Sequence, residues 1–320
     1  MYYVSADCGG TKTAIAITDE KGKAIASSLL GPANYLVNGL DNSVKLIANG
    51  VDDLLEENNL SHQEIAHFVI ALAGYGDIPR EKELIRKAFD EVIDYPFSLV
   101  NDIENATAGS LINHNGIHLV AGTGSIAACK NRNGEILRSG GWGHYFGGDE
   151  GSGYWIGSKL LLSYCKQSDG RKEKTLLHSY INEHYKLESD EDILLLVLNQ
   201  MGMRREEIAS FALDAVKLYE LGDEEVKKIF YEAGEELGEL ALSLYKKGKD
   251  FDLPLRISYS GSIFKSLDKI KAGLDNKLQG IDYQLIKPGL SPLAGGIIIA
   301  MEKTNQKISS AIIENLKEIK

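Results

Sequence analysis

Val4-Ser-Ala leads into Asp7-Cys-Gly-Gly-Thr-Lys-Thr13, and the apolar pattern resumes at once in Ala14-Ile-Ala-Ile-Thr18. A polar turn, Asp19-Glu-Lys-Gly22, precedes a third strand from Ala24 to Leu30. The glycine corner therefore joins two strands of a hairpin. A dinucleotide fingerprint or a P-loop would need a helix to open directly after the glycines, so both are excluded. Beyond the hairpin, Val44, Ile47, Val51, Leu54 and Leu55 fall on one face of a helix over 41–57. The continuous apolar run 67–73 reads as a buried strand ending in Gly74-Tyr-Gly76. A second amphipathic helix over about 80–89 and a buried strand over 95–100 follow, the latter stopped by Asn101-Asp102. Strands alternating with helices after a hairpin set predict an α/β lobe.

The opening pattern occurs twice. With Gly10-Thr11 aligned on Gly122-Thr123, Gly22 and Gly134 fall at the same offset and Ala16 matches Ala128. Both copies read strand, glycine turn, strand, polar turn, strand, and such a repeat predicts a duplicated βββ unit. The backbone N–H groups of each glycine turn could close on phosphate oxygens, so two lobes facing one nucleotide are expected. The expected division is an N-terminal lobe over 1–114 and a C-terminal lobe over 115–320. The latter would carry a charge-rich helical insertion at about 168–220, a long helix over 223–246 and a last strand over 281–286. A terminal helix over about 307–319 is expected to pack back on the first lobe.

Composition narrows the partners. The chain has 320 residues, 43% of them hydrophobic, which suffices for two domains with cores. A net charge of −11, with no Lys/Arg run, argues against nucleic acid as the main partner. Small anions can still bind at backbone N–H turns. Three cysteines, Cys8, Cys129 and Cys165, show no CxxC spacing, so disulfide scaffolds and structural zinc are poorly supported. No signal peptide and no run of about 18 apolar residues is found, so a protein of the reducing cytosol with no membrane partner is expected.

Candidate chemistry gathers at a few corners. Asp7 is placed to face a metal-bound phosphate. Asp102, just past a buried strand, sits where open α/β sheets bind ligands and could take a proton from an attacking hydroxyl. Asn101 or Asp102 could equally be a helix N-cap. Ser139 to Gly153 holds seven glycines, which rules out a regular element there. Within it Trp142 beside Asp149-Glu150 suits a sugar, with Trp142 as a core residue and the acids as caps of a helix near Ser152 as the alternatives. His144 could touch phosphate or sugar, or simply pack. Asn34 could point into a cleft or merely form a turn. Gly261-Ser262 after a strand could contact adenine or ribose.

These segments, in this order, resemble the BadF/BadG/BcrA/BcrD ATPase family, and most closely its N-acetylglucosamine kinase branch: Asp7-Cys-Gly-Gly-Thr-Lys-Thr13, Asn101-Asp102, Gly122-Thr-Gly-Ser125, Gly140-Gly-Trp-Gly-His144, Gly148-Asp-Glu-Gly-Ser-Gly-Tyr-Trp-Ile156 and Gly261-Ser262. The resemblance implies the α/β, two-lobe actin/hexokinase-like (ribonuclease H-like) ATPase fold with a duplicated βββαβα core, and ATP with Mg²⁺ in a central cleft. It implies that Asp7 orients Mg²⁺ through water and that Asp102 is the base for a sugar 6-hydroxyl. Gly9, Gly10, Thr11, Lys12, Thr123, Gly124, Ser210, Gly261, Ser262 and Ser266 would contact ATP. Asn34, Asp102, Ser125, Gly141, Trp142, Gly143 and Asp149 would line the amino-sugar site, and the assembly expected is a homodimer. Two departures bear on the sugar: Ile126 stands where mammalian-type kinases carry Asn, and the path from Trp142 to Asp149 is one residue longer. The expected activity is ATP-dependent 6-phosphorylation of an N-acetylated amino sugar, N-acetylglucosamine or N-acetylmuramic acid, with glucosamine as the alternative substrate. An activator of acyl-CoA reductases or dehydratases would need cysteines for a shared iron–sulfur cluster. A sugar-sensing repressor of the related ROK group would need a helix-turn-helix before the first strand.

Overall fold

The computed structural model describes residues 1–112 and 114–320. Along the chain, β1 (Tyr2–Cys8), β2 (Thr13–Asp19) and β3 (Ala24–Leu30) are followed by α1 (Tyr35–Asn38) and α2 (Leu40–Glu57). Then come β4 (Ile65–Leu72), α3 (Lys82–Asp90), β5 (Phe97–Asn101) and α4 (Asp102–Ser110). The pattern restarts with β6 (Gly116–Ala121), β7 (Ser125–Lys130) and β8 (Ile136–Gly140). Next are α5 (Gly153–Ser168), α6 (Leu176–Tyr185), α7 (Asp192–Leu195), α8 (Arg205–Glu220) and α9 (Glu224–Gly248). The chain closes with β9 (Leu255–Ser260), α10 (Leu267–Lys277), β10 (Tyr283–Ile286), α11 (Pro292–Lys303) and α12 (Ser310–Leu316).

One sheet has the order β3-β2-β1-β4-β5 and the other β10-β9-β6-β7-β8. Read from its hairpin end, the second is the first repeated, so the duplication inferred from the glycine spacing is a duplication of topology. The match reaches individual hydrogen bonds. In the first copy the Asp19 N–H donates to the Lys23 carbonyl and the Gly22 N–H to that of Asp19. Asn131, Glu135 and Gly134 repeat both bonds in the second. Gly22 and Gly134 take φ of 74° and 77°, the left-handed region open to glycine without a Cβ penalty. Asp19 Oδ1 accepts from the Lys21 and Lys23 N–H groups, and Asn131 Oδ1 from that of Glu135.

By contacts the chain divides into one unit of Met1–His118, Lys130–Ile136 and Lys287–Lys320, and another of Leu119–Cys129 and Leu137–Ile286. In the first, strand alternation sends Val4, Ala6 and Cys8 to a core with Ile47, Val51 and Leu54 of α2 and Phe89 of α3. Tyr3, on the opposite face, joins Ile297, Ile298 and Met301 of α11 and Leu316 of α12. Asp7 shares that opposite parity, at the end of the strand. In the second unit, α9 and α10 meet backbone to backbone: a Cβ on Gly273 would overlap the Tyr231 carbonyl oxygen and stand 2.8 Å from the Glu235 nitrogen. Among the described residues no helix is long and apolar enough to cross a membrane.

Several boundaries differ from expectation. The last strand starts at Tyr283, after a turn in which Gly280 has φ 84°. The terminal helix is shorter, because Ser309 Oγ caps it by accepting from the Ile312 N–H. The glycine-rich window holds the end of β8 and one 3-10 turn, His144–Phe146.

Candidate active site

In the first unit β1 and β4 run parallel, as do β4 and β5, with Asp7 opposite Ala71 and Leu72 opposite Asn101. Asp7 and Asp102 are thereby delivered to one edge of the sheet, at the carboxyl ends of three parallel strands, where open sheets bind ligands. The turn between β1 and β2 is closed by the Gly9 N–H donating to the Lys12 carbonyl at 3.0 Å. Beside it, a Cβ on Gly10 would stand 4.0 Å from Asn34 Nδ2, while Asn34 Oδ1 caps α1 by accepting from the Leu36 N–H. Asn34 thus forms the turn, with its amide nitrogen near Gly10.

The rivalry at Asn101-Asp102 has a structural answer. Asn101 is the N-cap of α4, its Oδ1 accepting from the Ile103 N–H at 3.2 Å. Its own N–H donates to Glu104 Oε1 at 3.0 Å, completing a capping box. Asn101 Nδ2 donates to the Tyr75 carbonyl at 2.9 Å, which ties the cap to the loop after β4. Asp102 is left as the first helical residue, with Oδ1 2.9 Å from the Ile103 nitrogen. Burial holds the Asp102 carboxyl above the ordinary carboxylate range, against the lowering pull of the Ile103 N–H, and Asp77 raises it further. Burial and then the neighbouring Asp102 push Asp7 up to about 6, with Lys12 opposing. Burial raises both carboxylates and Asp102 raises Asp7 further, which suits a site to which a cation is brought.

Mg²⁺ fits this donor set. No group of three or more His, Cys, Asp or Glu forms a metal cage among the described residues. A magnesium ion usually keeps several waters and takes one or two carboxylates plus substrate phosphates, and Asp7 offers one such carboxylate.

In the second unit the turn between β6 and β7 is closed by the Gly122 N–H donating to the Gly124 carbonyl at 2.9 Å. The N-terminus of α5 is tied to it: the Gly153 N–H donates to the Gly122 carbonyl at 2.8 Å and that of Tyr154 to the Thr123 carbonyl at 3.1 Å. Ser152 caps α5, its Oγ accepting from the Trp155 N–H, so neither Asp149 nor Glu150 is the cap. Gly261, with φ 101°, packs against the same corner: a Cβ there would stand 2.5 Å from the Ala121 carbonyl carbon and 2.9 Å from the Gly122 nitrogen. Ser262 and Ser266 lie on the 3-10 turn that follows. The corner at Gly261 therefore lies against the start of the second glycine turn. Ser210 lies on α8, its Oγ donating to the Glu207 carbonyl at 2.6 Å.

The glycine-rich loop presents aromatics to solvent. Trp142 is 73% exposed, so it is no core residue, and Tyr145 and Phe146 are 83% and 91% exposed. Sequence reasoning singled out only the tryptophan, although Tyr145-Phe146 between glycine pairs carried the same signal. His144 is packed, its ring 4.0 Å from that of Tyr145 and 4.9 Å from that of Tyr154. The loop crosses itself at Gly143 and Gly148, where a Cβ on Gly148 would overlap the Gly143 carbonyl oxygen. Ile126 lies against Gly141, whose Cβ would stand 2.7 Å from its Cδ1, so the residue that departs from the mammalian pattern packs on the loop. Ser125 Oγ donates to the Glu150 carbonyl at 2.7 Å, and its N–H to Asp149 Oδ1 at 3.3 Å.

Asp149 has an unexpected partner. Only 2% exposed, its Oδ2 stands 2.7 Å from Arg205 Nη2. Arg205 was not foreseen, since 56 positions along the chain separate the two and no local spacing announces the pair.

A model of the BadF/BadG/BcrA/BcrD ATPase family matches residues 6–300. The chain belongs to this family. Among its ATPase-family relatives, the N-acetylmuramic acid/N-acetylglucosamine kinase of Clostridium acetobutylicum is 34% identical over 74% of this chain and 76% of its own. The N-acetyl-D-glucosamine kinase of Dictyostelium discoideum is 28% identical over 93% of this chain and 97% of its own. A crystal structure of a candidate N-acetylglucosamine kinase from Chromobacterium violaceum shares the fold at TM-score 0.70 and 20% identity, over 93% of this chain and 98% of its own. A ROK family glucokinase from Streptomyces griseus, crystallised with glucose and AMPPNP, does so at TM-score 0.56 and 17% identity, over 96% and 100%. The fold is that of the actin/hexokinase-like sugar kinases.

Proposed function

We propose that this chain is an ATP-dependent kinase that phosphorylates the 6-hydroxyl of an N-acetylated amino sugar, N-acetylglucosamine first and N-acetylmuramic acid second. The observation that carries the reading is the division of labour at the start of α4. Asn101 takes the helix cap, and burial makes the Asp102 carboxyl a better base than a surface aspartate. The named relatives in Clostridium and Dictyostelium support the substrate class.

In this mechanism Asp102 orients the sugar 6-hydroxyl and accepts its proton. The O6–phosphorus bond forms as the bond from phosphorus to the β,γ-bridging oxygen breaks, its electron pair leaving on ADP. Phosphoryl transfer asks for alignment and charge neutralisation more than covalent help. Gly9, Gly10, Thr11, Lys12, Thr123 and Gly124 are the proposed phosphate contacts. Gly261, Ser262, Ser266 and Ser210 are the proposed nucleoside-side contacts. Asp7 would hold Mg²⁺ through water, and that ion, when bound, neutralises charge on the phosphate oxygens. Asn34, Ser125, Gly141, Trp142, Gly143 and Asp149 are the proposed sugar contacts, Trp142 by covering a C–H face of the ring. A cytoplasmic homodimer remains the proposed assembly.

The test is Asp102→Asn, assayed by ADP release against N-acetylglucosamine, N-acetylmuramic acid and glucosamine. The variant should bind sugar with little change and lose at least about 10²-fold in kcat. Near-normal turnover would overturn the base assignment, and wild-type turnover of glucosamine alone would overturn the acetylated-sugar reading.

A further inference from the structure

The second glycine turn carries a charge that the duplicated pattern does not predict. A Cβ on Gly124 would overlap Arg205 Nη2 and stand 2.5 Å from Asp149 Oδ1, so the guanidinium lies directly on the backbone of the turn. Both oxygens of Asp149 serve this arrangement, Oδ2 facing the guanidinium and Oδ1 accepting from the Ser125 N–H. Asp149 has φ 63°, a left-handed conformation costly for a residue with a side chain, and such strain persists where the surroundings impose it. The Arg205 side chain is 34% exposed, and its Nε is buried with no hydrogen-bond partner among the described residues. The donor capacity of the guanidinium is thus only partly used by the protein.

The support behind Arg205 is rigid. It is the first residue of α8, which packs on α5 at two glycines. A Cβ on Gly157 would overlap the Ile208 carbonyl oxygen, and one on Gly153 would stand 3.5 Å from Ala209 Cβ. Since α5 is bonded to the turn through Gly153 and Tyr154, the turn, α5, α8 and Arg205 form one connected support. The chain enters α8 through a π-helical turn at Leu196–Gln200, then Gly202 and Met203 at φ 60° and 51°. Irregular helix and left-handed residues of this kind concentrate at functional sites.

We propose that Arg205 is a catalytic residue of this kinase, donating N–H groups to the non-bridging oxygens of the transferred phosphoryl group, with Asp149 as its positioning residue. The proposal rests on the kinase reading above and adds to it a fixed cation supplied by the helical insertion. Arg205 makes and breaks no covalent bond. It neutralises charge that spreads over the phosphoryl oxygens as the group moves from ADP to the sugar oxygen. An arginine suits the task because it stays protonated and its planar fork matches phosphate oxygens.

The test compares wild type, Arg205→Gln, Arg205→Lys and Arg205→Ala. Far-UV circular dichroism and melting curves report folding, and kcat and KM are measured for ATP, N-acetylglucosamine and N-acetylmuramic acid. Arg205→Gln should lose at least about 10²-fold in kcat with the sugar KM changed less than about threefold. It should bind AMPPNP about tenfold more weakly by calorimetry. Arg205→Lys should recover part of the rate, and added guanidinium should restore part of it to Arg205→Ala, which a merely structural role would not allow. Retention of kcat within threefold in Arg205→Gln would overturn the proposal. So would a loss confined to the KM of N-acetylmuramic acid, which would place the guanidinium on the substrate carboxylate. If the wild type phosphorylated none of the sugars, the kinase reading would fall alone, and equal AMPPNP affinity in wild type and Arg205→Gln would then overturn this inference separately. Should Arg205→Gln fail to fold, the same comparisons on Arg205→Lys decide.

Discussion

The two copies of the hairpin share topology and even the hydrogen bonds of their distal turns, yet their glycine turns close differently and are flanked by different charged groups. The first glycine turn stands beside Asp7 and Asp102, two carboxylates raised by burial, with Asp102 raising Asp7 further. The second is overlaid by the Arg205 guanidinium, whose counter-charge Asp149 is buried beneath it. One scaffold thus presents two carboxylates, opposed only in part by Lys12, that suit a cation and a hydroxyl proton. The other carries a fixed guanidinium whose charge is matched by Asp149. Duplication supplied the backbone; differentiation came from side chains that later elements bring to the turns.

The comparison can be broken at the supports of each turn. Gly157→Ala forces a methyl group into the Ile208 carbonyl and should cost about 3 kcal/mol or more, read as a lower urea midpoint. Gly109→Ala, which meets the Ser291 carbonyl on the α4–α11 contact, is the matching test in the first unit and should cost a similar amount. Asp149→Asn removes one partner of a buried pair. Because Arg205 is a third exposed, the loss should be about 1–3 kcal/mol, below that of a fully buried pair.

Asp7→Asn should act in the opposite direction. The raised pKa means that ionised Asp7 lowers stability at neutral pH, and that stability is regained as pH falls through about 6 toward about 4. The amide should therefore stabilise the ligand-free protein by about 1–2 kcal/mol at pH 7 and flatten the stability profile between those values. A destabilised variant would show that the site carries no such strain. Smallest of all, Trp142→Ala should change the melting midpoint by no more than about 0.5 kcal/mol in equivalent, its ring being exposed, while raising the sugar KM several-fold.

Much of this was legible from the chain alone, for local reasons. The glycine corners, the polar turns closed by Gly22 and Gly134, and the alternation of β1 and β2 depend on short-range rules, and they emerged with their boundaries nearly intact. The start of α4 was half legible: the sequence offered two acceptors, and only the geometry assigned the cap to Asn101. The Asp149–Arg205 pair could not be foreseen, because a buried ion pair between distant segments leaves no periodic trace. Trp142 was ambiguous for a related reason, since a glycine-rich loop can turn an aromatic ring either way.

The return of α11 and α12 to the first sheet has a consequence for synthesis. Tyr3, Ala16, Val69 and Ala71 are covered by residues of these last helices, and the Asn315 side chain donates to the Lys21 carbonyl. One face of the earliest sheet stays wet until residues past 287 have left the ribosome, whereas 137–286 can already collapse around its own helices. A nascent chain stalled before that point would expose an apolar sheet face, and it is there that chaperones should bind.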